Sequence, residues 1–350
     1  MPDISKIYPS DKHAQSEVVR LLEGEGIRLD KNLDYTCGIY DDDYNHLIAT
    51  GSCFKNTLRC FAVDSRHQGE GLLNQIITHL IEYQHAKGNH NFFLYTKCST
   101  SKFFNDLGFK EIARVPGELV FMENRRTGFS DYLANLQKES PVPQPGQKIA
   151  ALVMNANPFT LGHQYLVEKA AAENDLVHLF MVSEDASLFP FSVREQLIKA
   201  GTSHLKNLVY HESGPYIISS ATFPSYFQKD DAAVSSGHAK LDIAIFQKIA
   251  AALQITRRYV GEEPFSAVTN IYNKIMREDL PQAGIQLLVV PRKEESGTAI
   301  SASSVRQALK NDDWKSLSEL VPASTLDFLK SEAALSVIAK IKAATDVIHH

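Results

Sequence analysis

The chain contains 350 residues, of which 44% are hydrophobic and 22% are charged, the composition of a soluble globular protein. This length accommodates two domains that each bury their own core. A net charge of −5 gives no electrostatic reason to expect a nucleic-acid partner. No apolar run is long enough to cross a bilayer, residues 1–6 lack the apolar core of a signal peptide, and the four cysteines show no Cys-x-x-Cys spacing. We therefore expect a cytoplasmic protein without a membrane or nucleic-acid partner.

A proline-rich segment divides the sequence. Residues 138–147 hold three prolines and one glycine among ten residues, a composition that resists both helix and sheet. We interpret this segment as a linker, so the predicted domains cover residues 1–137 and 148–350.

Strands and helices are mixed in the first predicted domain. Short apolar runs predict strands, a longer run has the apolar spacing of a helix, and Gly108 closes a second, shorter helix. The predicted strands cover residues 35–40, 46–54, 58–63 and 91–96, and the predicted helices cover residues 72–87 and 101–106. The pattern indicates a mixed α/β domain.

Strands and helices alternate regularly in the second predicted domain. The predicted strands cover residues 149–154, 176–182, 208–211, 258–260 and 285–290, and the helices cover residues 163–173, 193–200, 241–253, 268–280 and a segment from about 303. Such alternation predicts a parallel sheet with helices on both faces. Ligands of these sheets bind beyond the carboxyl ends of the strands, where residues 155–163 would lie.

Two segments of the second domain are suited to a triphosphate. Thr160-Leu-Gly-His163 follows a polar turn and begins a helix, whose free N–H groups and dipole attract an anion. Ile300-Ser-Ala-Ser-Ser-Val-Arg306 places hydroxyls and an arginine at the start of another helix. The pair predicts an ATP site. The competing interpretation makes His163 a helix cap and Arg306 a solvated residue.

A glycine-containing turn in the first domain is suited to a pyrophosphate. Gly69 and Gly71, after Arg66, allow close approach to the backbone at the start of a helix. This turn resembles the acyl-CoA-binding loop of GCN5-related N-acetyltransferases, and residues 103–109 resemble that family's late helix–turn–strand. The resemblance implies that Arg66, Gly69 and Gly71 bind a CoA-like group. A plain strand-to-helix turn is the alternative.

Acetyl transfer would also require a positioned base and an acid in this first domain. Glu82, Tyr83 and Tyr95 are candidates, and the sequence singles out none of them. The alternative is therefore a domain that binds the CoA-like group without catalysing a transfer.

The two phosphate-binding segments resemble those of the nucleotidyltransferase superfamily, Thr/His-x-Gly-His and Ile-Ser-Ser-Thr-x-x-Arg, with Ala302 and Ser303 in place of serine and threonine. The resemblance implies a Rossmann-like (HUP-type), cytidylyltransferase-like fold with C-terminal helices. It also implies that His163 contacts the α-phosphate and Thr160 donates to the phosphates, while Gly162 leaves room for the nucleotide. Ser301, Ser303 and Arg306 would hold the β- and γ-phosphates. The remaining predicted ATP-binding residues are Asn155, Asn157, Pro158, Phe159, Gly261, Glu262 and Arg292.

Three further segments, residues 182–194, 216–226 and 257–265, together with the domain pairing, resemble the citrate lyase ligase family. That resemblance implies attack of acetate on ATP to give acetyl-AMP and diphosphate. The thiol of a CoA-derived prosthetic group, carried by the acyl carrier subunit of citrate lyase, then displaces AMP. Mg²⁺ is expected with ATP, and no protein ligand for it is assigned.

Other functions remain open at this point. The same ATP motifs suit an adenylyltransferase that acts on a phosphorylated acceptor such as nicotinamide mononucleotide or phosphopantetheine. A CoA-dependent N-acetyltransferase with a nucleotide-sensing second domain, or a non-catalytic scaffold, are further alternatives. Arg194, Arg292 and Lys293 either bind phosphate or acetate or are solvated, and residues 261–264 either line the pocket or form a turn. Asp242 is expected to be a surface charge.

Overall fold

The computed structural model describes residues 3–30, 32–43, 46–184, 187–217, 231–262, 267–295 and 298–347. Parts of three segments noted above, residues 185–186, 218–226 and 263–265, lie outside the described residues, as does Pro264 in its predicted turn. The chain forms two compact units: the first comprises residues 1–131 and 222–244, and the second comprises residues 132–221 and 245–350.

The first unit is built around one sheet. Its elements are β1 (Ile4–Lys6), α1 (Lys12–Gly24), β2 (Tyr35–Tyr40), β3 (Leu47–Phe54), β4 (Thr57–Val63), α2 (Leu72–Ala86), β5 (Phe93–Lys97), α3 (Ser101–Asp106), β6 (Lys110–Val115) and β7 (Leu119–Glu123). The helix α4 (Gly128–Glu139) spans the division between the units and extends into the predicted linker.

The seven strands of this sheet are ordered β1-β2-β3-β4-β5-β7-β6. Neighbouring strands are antiparallel except β4 and β5, which are parallel and pair only through Thr57–Phe93 and Leu58–Leu94. Beyond these two pairs the strands separate, although both continue for several residues. The separation opens the sheet beside the carboxyl end of β4, where the chain turns into α2.

The second unit contains a longer series of elements. They are β8 (Ile149–Met154), α5 (Leu161–Glu173), β9 (Leu176–Met181), α6 (Phe191–Gly201), β10 (Leu208–Glu212), α7 (Asp231–Leu253), β11 (Arg257–Gly261), α8 (Ala267–Asp279), β12 (Gln286–Val290), β13 (Glu294–Glu295), β14 (Thr298–Ala299), α9 (Ala302–Lys310), α10 (Trp314–Leu320), α11 (Ala323–Lys330) and α12 (Leu335–Ala343). The first part of α7 belongs to the first unit.

The five strands β10-β9-β8-β11-β12 form an entirely parallel sheet. Counted within the sheet, the order is 3-2-1-4-5, that of a doubly wound fold, with the strand order reversing at β8. β8 pairs with β11 only through Ala150 and Ala151, so the two strands separate toward their carboxyl ends. This is the crevice in which such sheets bind ligands.

The predicted α/β class is confirmed, with a mixed sheet in the first unit and a parallel sheet in the second. The expectation that Asp242 is a surface charge is wrong, because this residue is only 9% exposed. Among the described helices, none is long and apolar enough to span a membrane.

Two buried histidines link neighbouring strands of the parallel sheet. Nδ1 of His178 on β9 lies 2.9 Å from Nε2 of His211 on β10, and each residue is 1% exposed. Burial lowers the pKa of His178 to about 4. Burial and then the neighbouring His178 lower the pKa of His211 to about 3. Both rings are therefore neutral in the folded protein at neutral pH.

We expect the free energy of unfolding of the second unit to fall as the pH drops from about 6.5 to about 4, because the unfolded chain then binds protons that the folded chain excludes. Each imidazole contributes a slope approaching about 1.4 kcal/mol per pH unit. Urea unfolding followed by the fluorescence of the single tryptophan, Trp314, measures this slope. A His178→Leu, His211→Leu variant should flatten it, whereas the exposed His204→Leu control should not. An unchanged slope in the double variant would contradict the assignment.

Candidate active site

The turn between β8 and α5 ends in a reciprocal helix cap. Thr160 is the N-cap residue, and its Oγ1 accepts a hydrogen bond from the backbone N–H of His163 at 3.2 Å. In return, Nδ1 of His163 accepts the backbone N–H of Thr160 at 3.1 Å. The Thr-x-x-His spacing therefore fixes the imidazole at the helix N-terminus by local bonds alone.

These bonds also determine which nitrogen of His163 carries the proton. Because Nδ1 accepts the amide of Thr160, the proton of the neutral ring resides on Nε2. Burial, and next the charge of Arg292, lower the pKa of His163 to about 4. At neutral pH the ring is therefore an uncharged donor through Nε2–H.

A second helix N-terminus carries a cluster of hydroxyls. Ser301 is the N-cap of α9, and its Oγ accepts the backbone N–H of Ser304 at 3.0 Å. The same Oγ lies 2.9 Å from the Ser303 hydroxyl and 2.7 Å from the Ser304 hydroxyl. Hydroxyls and free amides at a helix N-terminus form an anion-binding arrangement.

Arg306 lies one turn further along α9 and is 3% exposed. Its Nε donates to the carbonyl of Val347 at 2.6 Å, and its Nη1 donates to the carbonyl of Asn157 at 2.6 Å. Burial lowers its pKa to about 10. The interpretation of Arg306 as a solvated residue is therefore wrong; it ties the β8–α5 turn to the C-terminal segment.

Both helix N-termini line one cavity of about 560 Å³ at the crevice of the parallel sheet. A Cβ built at Gly162 would lie 3.2 Å from the carbonyl oxygen of Ile300, so a glycine allows the two elements to approach each other. The predicted site residues in the cavity wall are Asn155, Asn157, Thr160, Gly162, His163, Gly261, Glu262, Arg292, Ser301, Ser303 and Arg306.

Pro158 and Phe159 were predicted to contact ATP, but the structure does not place them in the cavity wall. Phe159 is fully buried and packs so closely on α6 that a Cβ at Gly201 would lie 2.5 Å from its Cε1. Its ring is also stacked near His163, with the centroids 5.8 Å apart. We correct its role to core packing that supports the turn.

Arg194 is a structural residue of the site that sequence reasoning left undecided. Arg194 is fully buried, is absent from the cavity wall, and donates hydrogen bonds to oxygen atoms of the protein. Nε bonds to the Phe189 carbonyl, Nη1 to the carbonyls of Asn155 and Val182 and to the Asn155 side chain, and Nη2 to the Glu184 carbonyl. It therefore joins the loops that follow β8 and β9.

A second cavity, of about 520 Å³, lies in the first unit where β4 and β5 separate. Gly69 and Gly71 are in its wall, with φ values of +90° and +76°. Arg66 is not. Its guanidinium pairs with Asp64 at 2.8 Å, and its side chain is 74% exposed. The structure therefore gives no geometric support to direct binding of the CoA-like group by Arg66.

The three acid–base candidates of the first unit do not gather at this cavity. Tyr95 lines it and is 4% exposed, whereas Glu82 and Tyr83 are absent from its wall. Glu82 is exposed, and Tyr83 stacks on Tyr35 with ring centroids 4.0 Å apart. The cavity thus resembles a binding site more than an assembled acid–base centre.

A doubly wound parallel sheet with a capped histidine and a hydroxyl-bearing helix N-terminus at its crevice defines an α/β protein that binds a phosphorylated ligand such as a nucleotide. The family model of the citrate lyase ligase C-terminal domain matches residues 149–329. A [citrate [pro-3S]-lyase] ligase of Klebsiella pneumoniae is 38% identical over 324 residues, which cover 91% of this chain and 93% of the relative. The chain belongs to the citrate lyase ligase family and is an enzyme.

Two solved structures are also similar to parts of the chain. A GNAT-family acetyltransferase of Staphylococcus aureus Mu50 covers 36% of this chain and 100% of its own, with 12% identity and a TM-score of 0.30. A Vibrio parahaemolyticus protein assigned to the nicotinate-nucleotide adenylyltransferases covers 57% of this chain and 97% of its own, with 16% identity and a TM-score of 0.37.

Proposed function

We propose that this enzyme activates citrate lyase by acetylating the thiol of the CoA-derived prosthetic group on its acyl carrier subunit. Acetate and ATP are consumed, and AMP and diphosphate are released. The observation that carries the proposal is the convergence of the Thr160–His163 and Ser301–Arg306 elements on one cavity. Membership of the citrate lyase ligase family supports the identity of the substrates.

The predicted domain of residues 148–350, most of which belongs to the second unit, performs the first half-reaction. An acetate oxygen attacks the α-phosphorus, the bond from that phosphorus to the bridging oxygen breaks, and diphosphate leaves with the electron pair. Acetate is already an anion at neutral pH, so no general base is needed. Positioning and charge neutralisation provide the acceleration. His163 donates Nε2–H to an α-phosphate oxygen, while the Ser301 and Ser303 hydroxyls hold the outer phosphates.

Mg²⁺ accompanies ATP in this proposal. The described residues contain no group of three or more histidines, cysteines or acidic residues arranged to hold a metal ion. Glu262 contributes a carboxylate to the cavity wall. We therefore assign most of the coordination of Mg²⁺ to the phosphates and to water.

The predicted domain of residues 1–137, most of which belongs to the first unit, binds the prosthetic group. Gly69 and Gly71 leave their backbone open to a pyrophosphate, and the N-terminus of α2 follows at once. The cavity between β4 and β5 is large enough for an extended thiol-bearing arm. In the second half-reaction the sulfur attacks the acetyl carbonyl, the bond from the acyl carbon to oxygen breaks, AMP leaves, and the thiol proton is released.

We also place the activity in the cytoplasm. All four cysteines are free thiols, and Cys37, Cys53 and Cys60 are buried. Unpaired thiols are typical of a reducing compartment.

Release of diphosphate tests the activity. The purified chain with ATP and Mg²⁺ should release diphosphate when acetate is added, and not when nicotinamide mononucleotide or phosphopantetheine replaces acetate. Adding the acyl carrier subunit should then give AMP and a carrier heavier by one acetyl group. Release with the phosphorylated acceptors alone would favour an adenylyltransferase. Acetyl transfer from acetyl-CoA to an amine without ATP would favour an N-acetyltransferase.

A further inference from the structure

Lys293 is a half-buried cation in the wall of the ATP cavity. Within the part of the chain that the structure describes, its ammonium group has no hydrogen-bond or ion-pair partner. A lysine that is partly removed from water usually finds an anion. The position therefore suits a negatively charged ligand.

The other cations around the cavity are already engaged by the protein. Arg306 donates to two backbone carbonyls, and Arg194 donates to carbonyls of two loops. Arg292 donates Nε to the carbonyl of Glu262 at 2.8 Å. His163 is neutral, as shown above. Among the residues that the structure describes, the Lys293 ammonium therefore differs from these groups, since it donates to no protein acceptor.

Backbone contacts place Lys293 close to the catalytic histidine. Its carbonyl accepts the N–H of Ile300 at 3.0 Å, at the base of the β13–β14 ribbon. The carbonyl of Ile300 in turn faces Gly162, where an added Cβ would lie 3.2 Å away. The backbone of Ile300 therefore lies between Lys293 and Gly162, which is in the first turn of α5. Lys293 and His163 thus line the same cavity, and their backbones are connected through Ile300.

We propose that Lys293 forms the acetate subsite by binding the carboxylate of acetate beside the α-phosphate. This assignment rests on the proposed function. A lysine ammonium is a compact charge that binds one carboxylate oxygen and leaves the other to attack phosphorus, whereas an arginine fork would engage both oxygens. The positive charge also offsets the repulsion between acetate and ATP. Val290 and Pro291, in the same wall, offer an apolar surface for the methyl group.

Two substitutions and one control test this subsite. Lys293→Met keeps the length of the side chain and removes its charge, so the KM for acetate should rise about 10- to 100-fold, the usual effect of losing a charge-assisted bond. The Kd for ATP should change less than about threefold. Lys293→Arg should keep a low KM for acetate and lose kcat, because both oxygens are then bound. Lys330→Met, at an exposed position of α11, is the matched control.

Acetate-dependent diphosphate release gives kcat and KM, and calorimetric titration with ATP gives its Kd. A Lys293→Met variant with weakened ATP binding and an unchanged KM for acetate would overturn the assignment and place Lys293 at the triphosphate. A variant identical to the wild type would equally overturn it. If the wild-type protein itself releases no diphosphate with acetate, the proposed function fails instead.

Discussion

Replacement of His163 by alanine is expected to slow acetyl-AMP formation roughly 100- to 1000-fold, the usual effect of removing one preorganised donor from a developing charge. The imidazole is held by two bonds within the Thr160 cap, carries its proton on Nε2, and belongs to a residue of the cavity wall. Alanine removes this donor and leaves the Thr160 cap in place, since Thr160 bonds the backbone N–H of residue 163. Single-turnover measurement of acetyl-AMP determines the effect.

His204→Ala is the control for this substitution. His204 also belongs to the second unit, is exposed, and pairs with Glu168 at the surface. The rate of acetyl-AMP formation by the His204→Ala variant should stay within about twofold of the wild type, as is usual for surface changes. If His163→Ala retained full acetyl-AMP formation while binding ATP normally, His163 would not contact the reacting phosphate.

The Gly69→Asp, Gly71→Asp double variant is expected to separate the two half-reactions. Two carboxylates in the wall of the first-unit cavity repel a pyrophosphate, and like-charge juxtaposition costs several kcal/mol. Acetylation of the carrier should therefore fall by roughly 100-fold or more. Formation of acetyl-AMP, which we assign to the cavity of the second unit, should be unchanged. Mass spectrometry of the carrier and chromatography of acetyl-AMP report the two steps separately.

A second double variant tests whether backbone strain alone could cause the loss of carrier acetylation. Gly88 and Gly117 also have positive φ values, +79° and +75°, with open space around an added Cβ, and neither lines the cavity. Gly88→Asp, Gly117→Asp imposes comparable strain on the same unit without placing charge at the cavity. It should acetylate the carrier normally. Normal acetylation by the Gly69→Asp, Gly71→Asp variant would refute binding of the prosthetic group at this turn.

The sequence predicted that both phosphate-binding segments lie at helix N-termini, and the caps that the structure shows there are local. The Thr160 cap and His163 are three residues apart, and Ser301 and Ser304 repeat the same spacing at α9. A strand, a turn and a capped helix follow from short-range propensities and bonds. The crevice was equally accessible to prediction, because regular alternation of strands and helices implies a parallel sheet with ligands at its carboxyl edge.

The rest depends on contacts between distant residues. Arg306 bonds to Val347, 41 positions away, and Arg194 bonds to Asn155, 39 positions away. The sequence alone left Arg306 and Arg194 open between binding an anion and being solvated, since only the folded chain brings carbonyls to them. Phe159 was misjudged for the same reason: its neighbour in the core, Gly201, is remote in sequence. Lys293 is close to Ile300 because the chain between them folds back as the β13–β14 ribbon.

Transfer of an acetate oxygen to AMP tests attack on the α-phosphorus most directly. Acetate labelled with ¹⁸O at both oxygens is supplied with ATP, Mg²⁺, the enzyme and the acyl carrier subunit, and the AMP is analysed by mass spectrometry. Because the attacking oxygen stays on phosphorus when the thiol takes the acetyl group, each AMP should contain one ¹⁸O atom. AMP without label, formed together with acetylated carrier, would contradict acetyl-AMP formation at the His163 cavity.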